Sequence, residues 1–289
     1  MGLYWQEPEA ALLRRLLVRL DNKIVIDVGA EQGGFAEQLL QRKDATLYLI
    51  EPEPHNAAAL RARFRRHKRV VVHEYAITDE DAALELHRSI TPTGEPLSYG
   101  HTVLKRRDTD EIAWNGTFSV TGRSLGSLVD AGELPGRVGI LKIDTEGHDL
   151  AVVAGMGALD CDVVMVEHWT DLPNSLGRCP WRATEMTSAL RARGFSHYAL
   201  VLHRGESAFV LWDEAGVPTG QFGNLVFLHD RIVQQAWPDV LNCATACAEA
   251  AVDHLEHRLA EVEADRAARL EVIERLDAAL KAKDGGSSS

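Results

Sequence analysis

The amino-acid sequence predicts an α/β fold, a mostly parallel sheet with helices on both faces, followed by a helical C-terminal extension. Three observations carry this expectation. Short runs rich in Ile and Val alternate with segments whose apolar residues recur at helical spacing. The first such run ends in a glycine turn that opens onto a helical segment. The chain closes with a long, charged stretch free of Gly and Pro that keeps a three-four apolar alternation.

Each element follows from its local pattern. Pro8 to Arg19 reads as a helix, with Leu12, Leu13, Leu16 and Leu20 on one face. Lys23 to Val28 reads as a strand buried on both faces, Gly29 to Gly34 as a turn and Phe35 to Arg42 as a helix. Thr46 to Ile50 is a second strand, Pro54 to His67 a helix and Val70 to Ala76 a third strand. From Leu84 to Phe118 the rhythm breaks into short pieces with Gly, Pro, Thr and Ser, which predicts a hairpin or mobile insertion over the sheet edge. Leu125 to Ala131 is a short helix, Val138 to Ile143 and Val163 to Val166 are strands, and Pro180 to Gly194 is a helix ended by its glycine. Tyr198 to Leu202 and Leu225 to Leu228 are expected as an antiparallel pair.

From Ala246 to Lys283 there is no breaker. Val252, Leu255, Leu259 and Val262 start a seam that Ile273, Leu276 and Leu280 resume, with Arg266 and Arg269 in the same frame between them. The expected organisation is a main domain over residues 1–240, a C-terminal helix over 241–284 and a flexible tail over 285–289. A single apolar stripe is not satisfied in water, which predicts a homo-oligomer formed through this helix.

Composition narrows the function. The chain has 289 residues, 45% of them apolar, which is enough for one large core plus an appendage. A formal net charge of -12 repels phosphate backbones and anionic membranes, so neither nucleic acid nor a membrane surface is an expected partner. The basic run Arg61 to Arg69 sits at a helix end, where cations complement the dipole. Cys161, Cys179, Cys243 and Cys247 form no CxxC pair, so no zinc site is expected and a reducing cytoplasm fits. No apolar run reaches the length of a membrane span.

The first chemical motif is Asp27-Val28-Gly29-Ala30-Glu31-Gln32-Gly33, between a strand and a helix. A pyrophosphate site wants G-x-G-x-x-G, whose backbone N–H groups cradle the phosphates. Here Glu31 stands where the second glycine would be, and its carboxylate opposes a pyrophosphate. A cationic, phosphate-free nucleoside suits the loop better, and S-adenosylmethionine carries a sulfonium and an ammonium. Asp27 places negative charge near its methionyl part, and Gly29 permits close approach. Glu51, at the end of Leu49-Ile50-Glu51-Pro52, can accept both ribose hydroxyls.

A second motif sharpens this: Leu141-Lys142-Ile143-Asp144-Thr145-Glu146-Gly147-His148-Asp149. Together with Val25-Ile26-Asp27-Val28-Gly29-Ala30, Leu49-Ile50-Glu51-Pro52, Tyr75-Ala76-Ile77 and Ser124-Leu125-Gly126-Ser127-Leu128, it resembles the FkbM-type methyltransferases over about Lys23 to Glu167. The resemblance implies a Rossmann-like class I fold, S-adenosylmethionine as cofactor and methylation of hydroxyls on sugars or natural products. It implies Asp27, Gly29 and Glu51 as cofactor contacts, with Ala76 and Ile77 near the adenine. Glu31 departs from the asparagine that the family often has there. Ala30, Glu31 and Gly33 complete the expected cofactor loop.

Methyl transfer from a sulfonium to an alcohol needs alignment and removal of a proton. Asp144, at the tip of its strand, is the expected neighbour of the methyl group. His148 and His168 are candidate bases. Lys142 belongs to the same cluster, or pairs with Asp27 or Glu51. Asp144 and Glu146, with Glu167 or His168, would also suit a divalent cation, but carboxylates at strand tips are common without one, and no metal is assigned. Lys105-Arg106-Arg107 is either a solvated loop or a contact for an anionic acceptor. The competing readings are an NAD(P)-binding oxidoreductase, which the glycine pattern disfavours, and a non-catalytic methyltransferase-like scaffold whose tail does the work.

Overall fold

The computed structural model describes residues 8–42, 44–172, 176–204, 207–212 and 220–285, without the side chains of 204, 207 and 277–285. Helix α1 (Pro8–Arg19) leads into β1 (Ile24–Val28), α2 (Gly34–Leu39), β2 (Thr46–Ile50), α3 (Pro54–Phe64) and β3 (Val70–His73). Strands β4 (Ala76–Ile77), β5 (Ala82–Ile90) and β6 (Ala113–Arg123) follow. Next come α4 (Leu125–Asp130), β7 (Arg137–Ile143), α5 (Asp149–Ala154), β8 (Asp160–Trp169), β9 (Asp171–Leu172) and β10 (Gly177–Arg178). The chain ends with α6 (Ala183–Arg191), β11 (His197–Arg204), β12 (Ser207–Leu211), β13 (Phe222–Leu228) and α7 (Val233–Gly285).

Eight strands form one sheet in the order β12-β11-β13-β8-β7-β1-β2-β3. β3, β2, β1, β7 and β8 are parallel, and β13 runs antiparallel between β8 and β11. The chain winds outward from β1 in both directions, so a crevice opens at the C-terminal ends of β1 and β7. This is a Rossmann-like sheet. Successive strand residues serve opposite faces. Ile26, Val28, Leu141, Ile143, Val164 and Val166 meet α4, α5 and α6, while Val25, Leu47, Leu49, Ile140, Val163 and Met165 meet α1, α2, α3 and the first turns of α7. Each such buried side chain contributes about 1.5–3 kcal/mol.

The structure departs from the sequence reading at four places. Ala76–Ile77 leaves the line of β3 and pairs with β6 in a second sheet, β4-β6-β5. The predicted insertion is therefore an ordered hairpin with a bulge between His87 and Ser89. α5 follows directly on the second motif, and β12 extends the sheet edge. α7 starts at Val233, before the expected boundary at residue 241. Its residues Ala236, Val240, Cys243, Cys247 and Ala251 are buried, whereas Val252, Leu255, Leu259 and Val262 are exposed. The helix thus stops packing on the sheet after Ala251. Most of the expected tail, residues 286–289, lies outside the described residues.

All four cysteines are buried free thiols. Among the described residues no helix is long and apolar enough to cross a membrane. The basic run on α3 is partly spent on ion pairs, Arg61 with Glu74 and Arg63 with Glu37, each at 2.8 Å.

Candidate functional site

β1 delivers Asp27 to the crevice and β7 delivers Lys142 beside it, in register. Lys142 Nζ lies 3.0 Å from Asp27 Oδ1 and 3.2 Å from Asp144 Oδ2. Burial favours a neutral lysine, but the two carboxylates outweigh it and hold the Lys142 pKa above the usual lysine value. Asp27 and Lys142 form a buried ion pair between neighbouring strands.

Gly29 adopts φ +78°, and a Cβ there would sit 1.7 Å from the Asp144 carbonyl oxygen. Only glycine lets β7 come this close. The loop then spends its N–H groups internally. Gly29 and Ala30 donate to the Ile50 carbonyl at 2.9 and 3.2 Å, and Gly33 donates to the Ala30 carbonyl at 2.9 Å. Glu31 N donates to Glu51 Oε2 at 2.9 Å. Four N–H groups of the turn, those of Gly29, Ala30, Glu31 and Gly33, are thus bonded within the protein. Gly33, at φ +82°, makes room for Leu60 and Phe64 of α3.

Glu51 stands at the end of β2. Its Oε1 accepts from Glu53 N at 2.9 Å. Burial pushes its carboxyl up to about 8, against the two backbone N–H bonds that favour the charged form. Glu53 caps α3 by accepting from Asn56 N, and Asn56 Nδ2 donates to the Ser98 carbonyl at 2.8 Å. That bond, with Ser98 Oγ donating to Glu31 Oε1 at 2.5 Å, ties the β5–β6 connection to the cofactor loop.

After β7 the chain turns through Glu146 (φ +55°) and Gly147 (φ +97°) into α5. Asp149 is fully buried and accepts from Thr145 N and Thr145 Oγ1 at 2.9 and 3.0 Å, fixing this turn. The Glu146 carbonyl accepts from Arg106 Nη2 at 2.7 Å, and Arg106 also bonds the Leu176 carbonyl and lies over the Trp169 ring. Arg106 is therefore a half-buried clamp, and Lys105 and Arg107 are exposed. Burial and Asp144 raise the Glu146 carboxyl to about 8. Burial first, then the carboxylates of Asp144, Glu146 and Asp149, holds Glu167 well above the usual carboxylate range. Among the described residues no group of three or more His, Cys, Asp or Glu is arranged to hold a metal ion.

One cavity gathers most of the predicted residues: Gly29, Glu31, Glu51, Ala76, Ile77, Asp144 and His148 line it. Asp27, Lys142, Ala30 and Gly33 do not line it. His168 lies elsewhere: it borders a separate groove with Arg178 and Arg182, its ring 5.0 Å from that of Trp181. His148 Nε2 is 3.0 Å from Thr78 Oγ1. Burial lowers its pKa, against the pull of Asp79, so the imidazole is neutral near pH 7.

Sequence reasoning missed the wall contributed by Ser98, Tyr99, Gly100, His101, Thr102 and Val103. The signal was a short polar run with an aromatic and a histidine around a glycine, inside the irregular insertion. His101 Nδ1 accepts from Ser89 N at 3.0 Å, and burial lowers its pKa. Tyr75 and Thr145 also line the cavity.

Among proteins of known role, the chain is 27% identical over 161 residues to the 2-O-methyltransferase NoeI of Sinorhizobium fredii (strain NBRC 101917 / NGR234). That match covers 52% of this chain and 65% of the relative, so the chain spans just under two thirds of the relative's length. Two solved structures are similar in outline. The N-terminal domain of EvdMO1, in the presence of SAH and D-fucose, gives a TM-score of 0.43 at 10% identity, covering 79% of this chain and 85% of that one. Precorrin-6y C5,15-methyltransferase from Geobacter metallireducens GS-15 gives 0.42 at 10% identity, covering 80% and 93%. These overlaps are loose, and the assignment rests on sequence. The methyltransferase FkbM domain matches residues 27–196, more than half of the chain. With its motifs on one cavity at the tips of β1, β2 and β7, the chain belongs to the FkbM family of S-adenosylmethionine-dependent methyltransferases.

Proposed function

We propose that the chain transfers a methyl group from S-adenosylmethionine to a hydroxyl of a sugar or natural product. The observation that carries this reading is a cavity lined by the carboxyl groups of Glu31, Glu51 and Asp144, beside a turn in which the Gly29, Ala30, Glu31 and Gly33 N–H groups are bonded within the protein. Such a wall suits a ligand with cationic centres and no phosphate. When bound, the cofactor supplies an electrophilic methyl on its sulfonium. Glu51 would hold the ribose hydroxyls, Ala76 and Ile77 the adenine, and Glu31 the ammonium. Asp144, braced by Lys142, would lie beside the sulfonium and steady its charge. The 2-O-methyltransferase relative supports the choice of a hydroxyl acceptor. We also infer that α7 beyond Ala251 joins a second copy of the chain.

The test is titration calorimetry of the full chain with S-adenosylmethionine and with NAD, followed by a methyl-transfer assay on sugar glycosides. Binding of S-adenosylmethionine alone, with release of S-adenosylhomocysteine that depends on the glycoside, is the expected result. Tight NAD binding would transfer the site to the oxidoreductase class. Cofactor binding without transfer to any hydroxyl acceptor would favour a scaffold.

A further inference from the structure

We infer that Glu146 is the residue that takes the proton from the acceptor hydroxyl, through its Oε2. This inference rests on the hydroxyl methylation proposed above. Glu146 holds φ +55°, a conformation that a residue with a Cβ adopts only under outside support. The support is specific. Arg106 and Thr102 donate to its carbonyl, and Gly100 N donates to Oε1 at 3.0 Å. All of these polar bonds fall on the backbone or on Oε1. Oε2 is left buried with no hydrogen-bond partner, in a residue that lines the cofactor cavity. A buried carboxylate oxygen without a partner costs stability and calls for a reason. An acceptor hydroxyl supplies one.

The other candidates are placed less well. His168 borders a different groove. His148 is committed at Nε2. Thr78 Oγ1 donates to the Asp79 carboxylate at 2.9 Å, so it must accept from His148 Nε2–H. Thr78 directly follows Ala76 and Ile77, so on the cofactor placement proposed above this bond holds the ring toward the adenine end. Asp144 Oδ2 is spent on Lys142 Nζ, 3.2 Å away. Burial and the neighbouring carboxylates of Asp144 and Asp149 raise the Glu146 carboxyl to about 8, which matches a base working near neutral pH.

In the step, the acceptor oxygen attacks the methyl carbon in line with the sulfur. The O–C bond forms as the C–S bond breaks, and the bonding pair leaves on sulfur as a neutral thioether. The hydroxyl proton passes to Glu146 Oε2, and the carboxylic acid then loses it to solvent.

The experiment compares the full chain with Glu146→Gln by three measurements. The first is release of S-adenosylhomocysteine with a panel of p-nitrophenyl glycosides bearing vicinal hydroxyls. The second is calorimetric affinity for S-adenosylmethionine. The third is the thermal midpoint of the ligand-free protein across about pH 5 to 9. The glutamine variant is expected to lower kcat at least about 100-fold and to leave cofactor affinity within about threefold. Its thermal midpoint should gain on the parent as pH rises, because only the parent must bury a new charge. A variant that keeps kcat within about threefold overturns the proposal, as does an affinity loss beyond about tenfold or a midpoint difference that ignores pH. If the parent binds cofactor but methylates no glycoside, the hydroxyl-acceptor reading fails. The thermal comparison then still decides whether Glu146 carries the exchangeable proton.

Discussion

Glu51 and Gly29 show how single positions set the site. Glu51 keeps two backbone N–H bonds and presents a carboxyl raised to about 8 to the cavity. Glu51→Ala should weaken S-adenosylmethionine binding about ten- to a hundredfold, since two ribose hydrogen bonds are lost at roughly 0.5–1.5 kcal/mol each; unchanged affinity in calorimetry would remove the ribose role. The pH dependence has a definite sign. Glu51 and Glu146 have folded pKa values of about 8, above the ordinary 4.5. Their contribution to stability is therefore full below about pH 4.5 and is lost as pH rises through about 8. Thermal midpoints should fall over that window, and removing both carboxyls (Glu51→Gln with Glu146→Gln) should flatten the fall. Gly29→Ala forces a methyl onto the Asp144 carbonyl and should cost several kcal/mol, on the order of 4, measured by denaturant unfolding. The need for glycine at position 29 was legible in the sequence, but its reason was not. The vacancy is filled by a carbonyl 115 residues later in the chain (from 29 to 144), and no local pattern records that.

The β5–β6 insertion shows the same limit at the scale of elements. Local turn chemistry marks the segment as irregular, and its hairpin was foreseeable. Its return onto the cavity was not, because that depends on contacts between residues distant in sequence: Asn56 with Ser98, Gly100 with Glu146, and Arg106 with Glu146 and Leu176. β1, β7 and β8, by contrast, were legible because each is a continuous apolar run buried on both faces. β4 escaped for the opposite reason: Val70 to Ala76 is apolar enough to read as one strand, yet Glu74 and Tyr75 carry the chain off to a second sheet. Arg106 is the rivet of the insertion. Arg106→Met keeps much of the contact with Trp169 but loses the charged bonds to the two carbonyls. We expect destabilisation of about 1.5–3 kcal/mol, with faster hydrogen exchange confined first to residues 98–103 and weaker cofactor binding. Exchange that stays at the parent rate in that segment would show that the insertion is held by its hairpin alone.

For the molecule as a whole, α7 is one continuous helix with two environments. Up to Ala251 it covers the sheet face beside α1, and beyond it Leu255, Leu259, Val262, Ile273 and Leu276 are between 59% and 66% exposed. The stretch from Val252 to Leu276 would be roughly 40 Å long at about 1.5 Å per residue. Ion pairs along its own surface, Arg269 with Asp265 at 2.8 Å and Arg258 with Glu261 at 3.5 Å, favour the helical state but leave the stripe uncovered. Such surface pairs contribute only about 0.3–0.5 kcal/mol each, too little to hold a helix of this length alone in water. On the association proposed above, a second copy of the same helix would cover the stripe with like residues at matching three-four spacing. Arg266 and Arg269 share the frame of the stripe and would weaken such a seam. The expected outcome is an oligomer for the full chain by light scattering, and a monomer that still binds S-adenosylmethionine when the chain is cut after Ala251. Cutting before Cys247 would instead remove buried side chains and confuse loss of association with loss of fold. Arg266→Leu with Arg269→Leu should tighten the association at least about tenfold by extending the apolar seam. A full chain that is already monomeric at high concentration, or a truncated chain of unchanged oligomeric state, would place the interface elsewhere or abolish it.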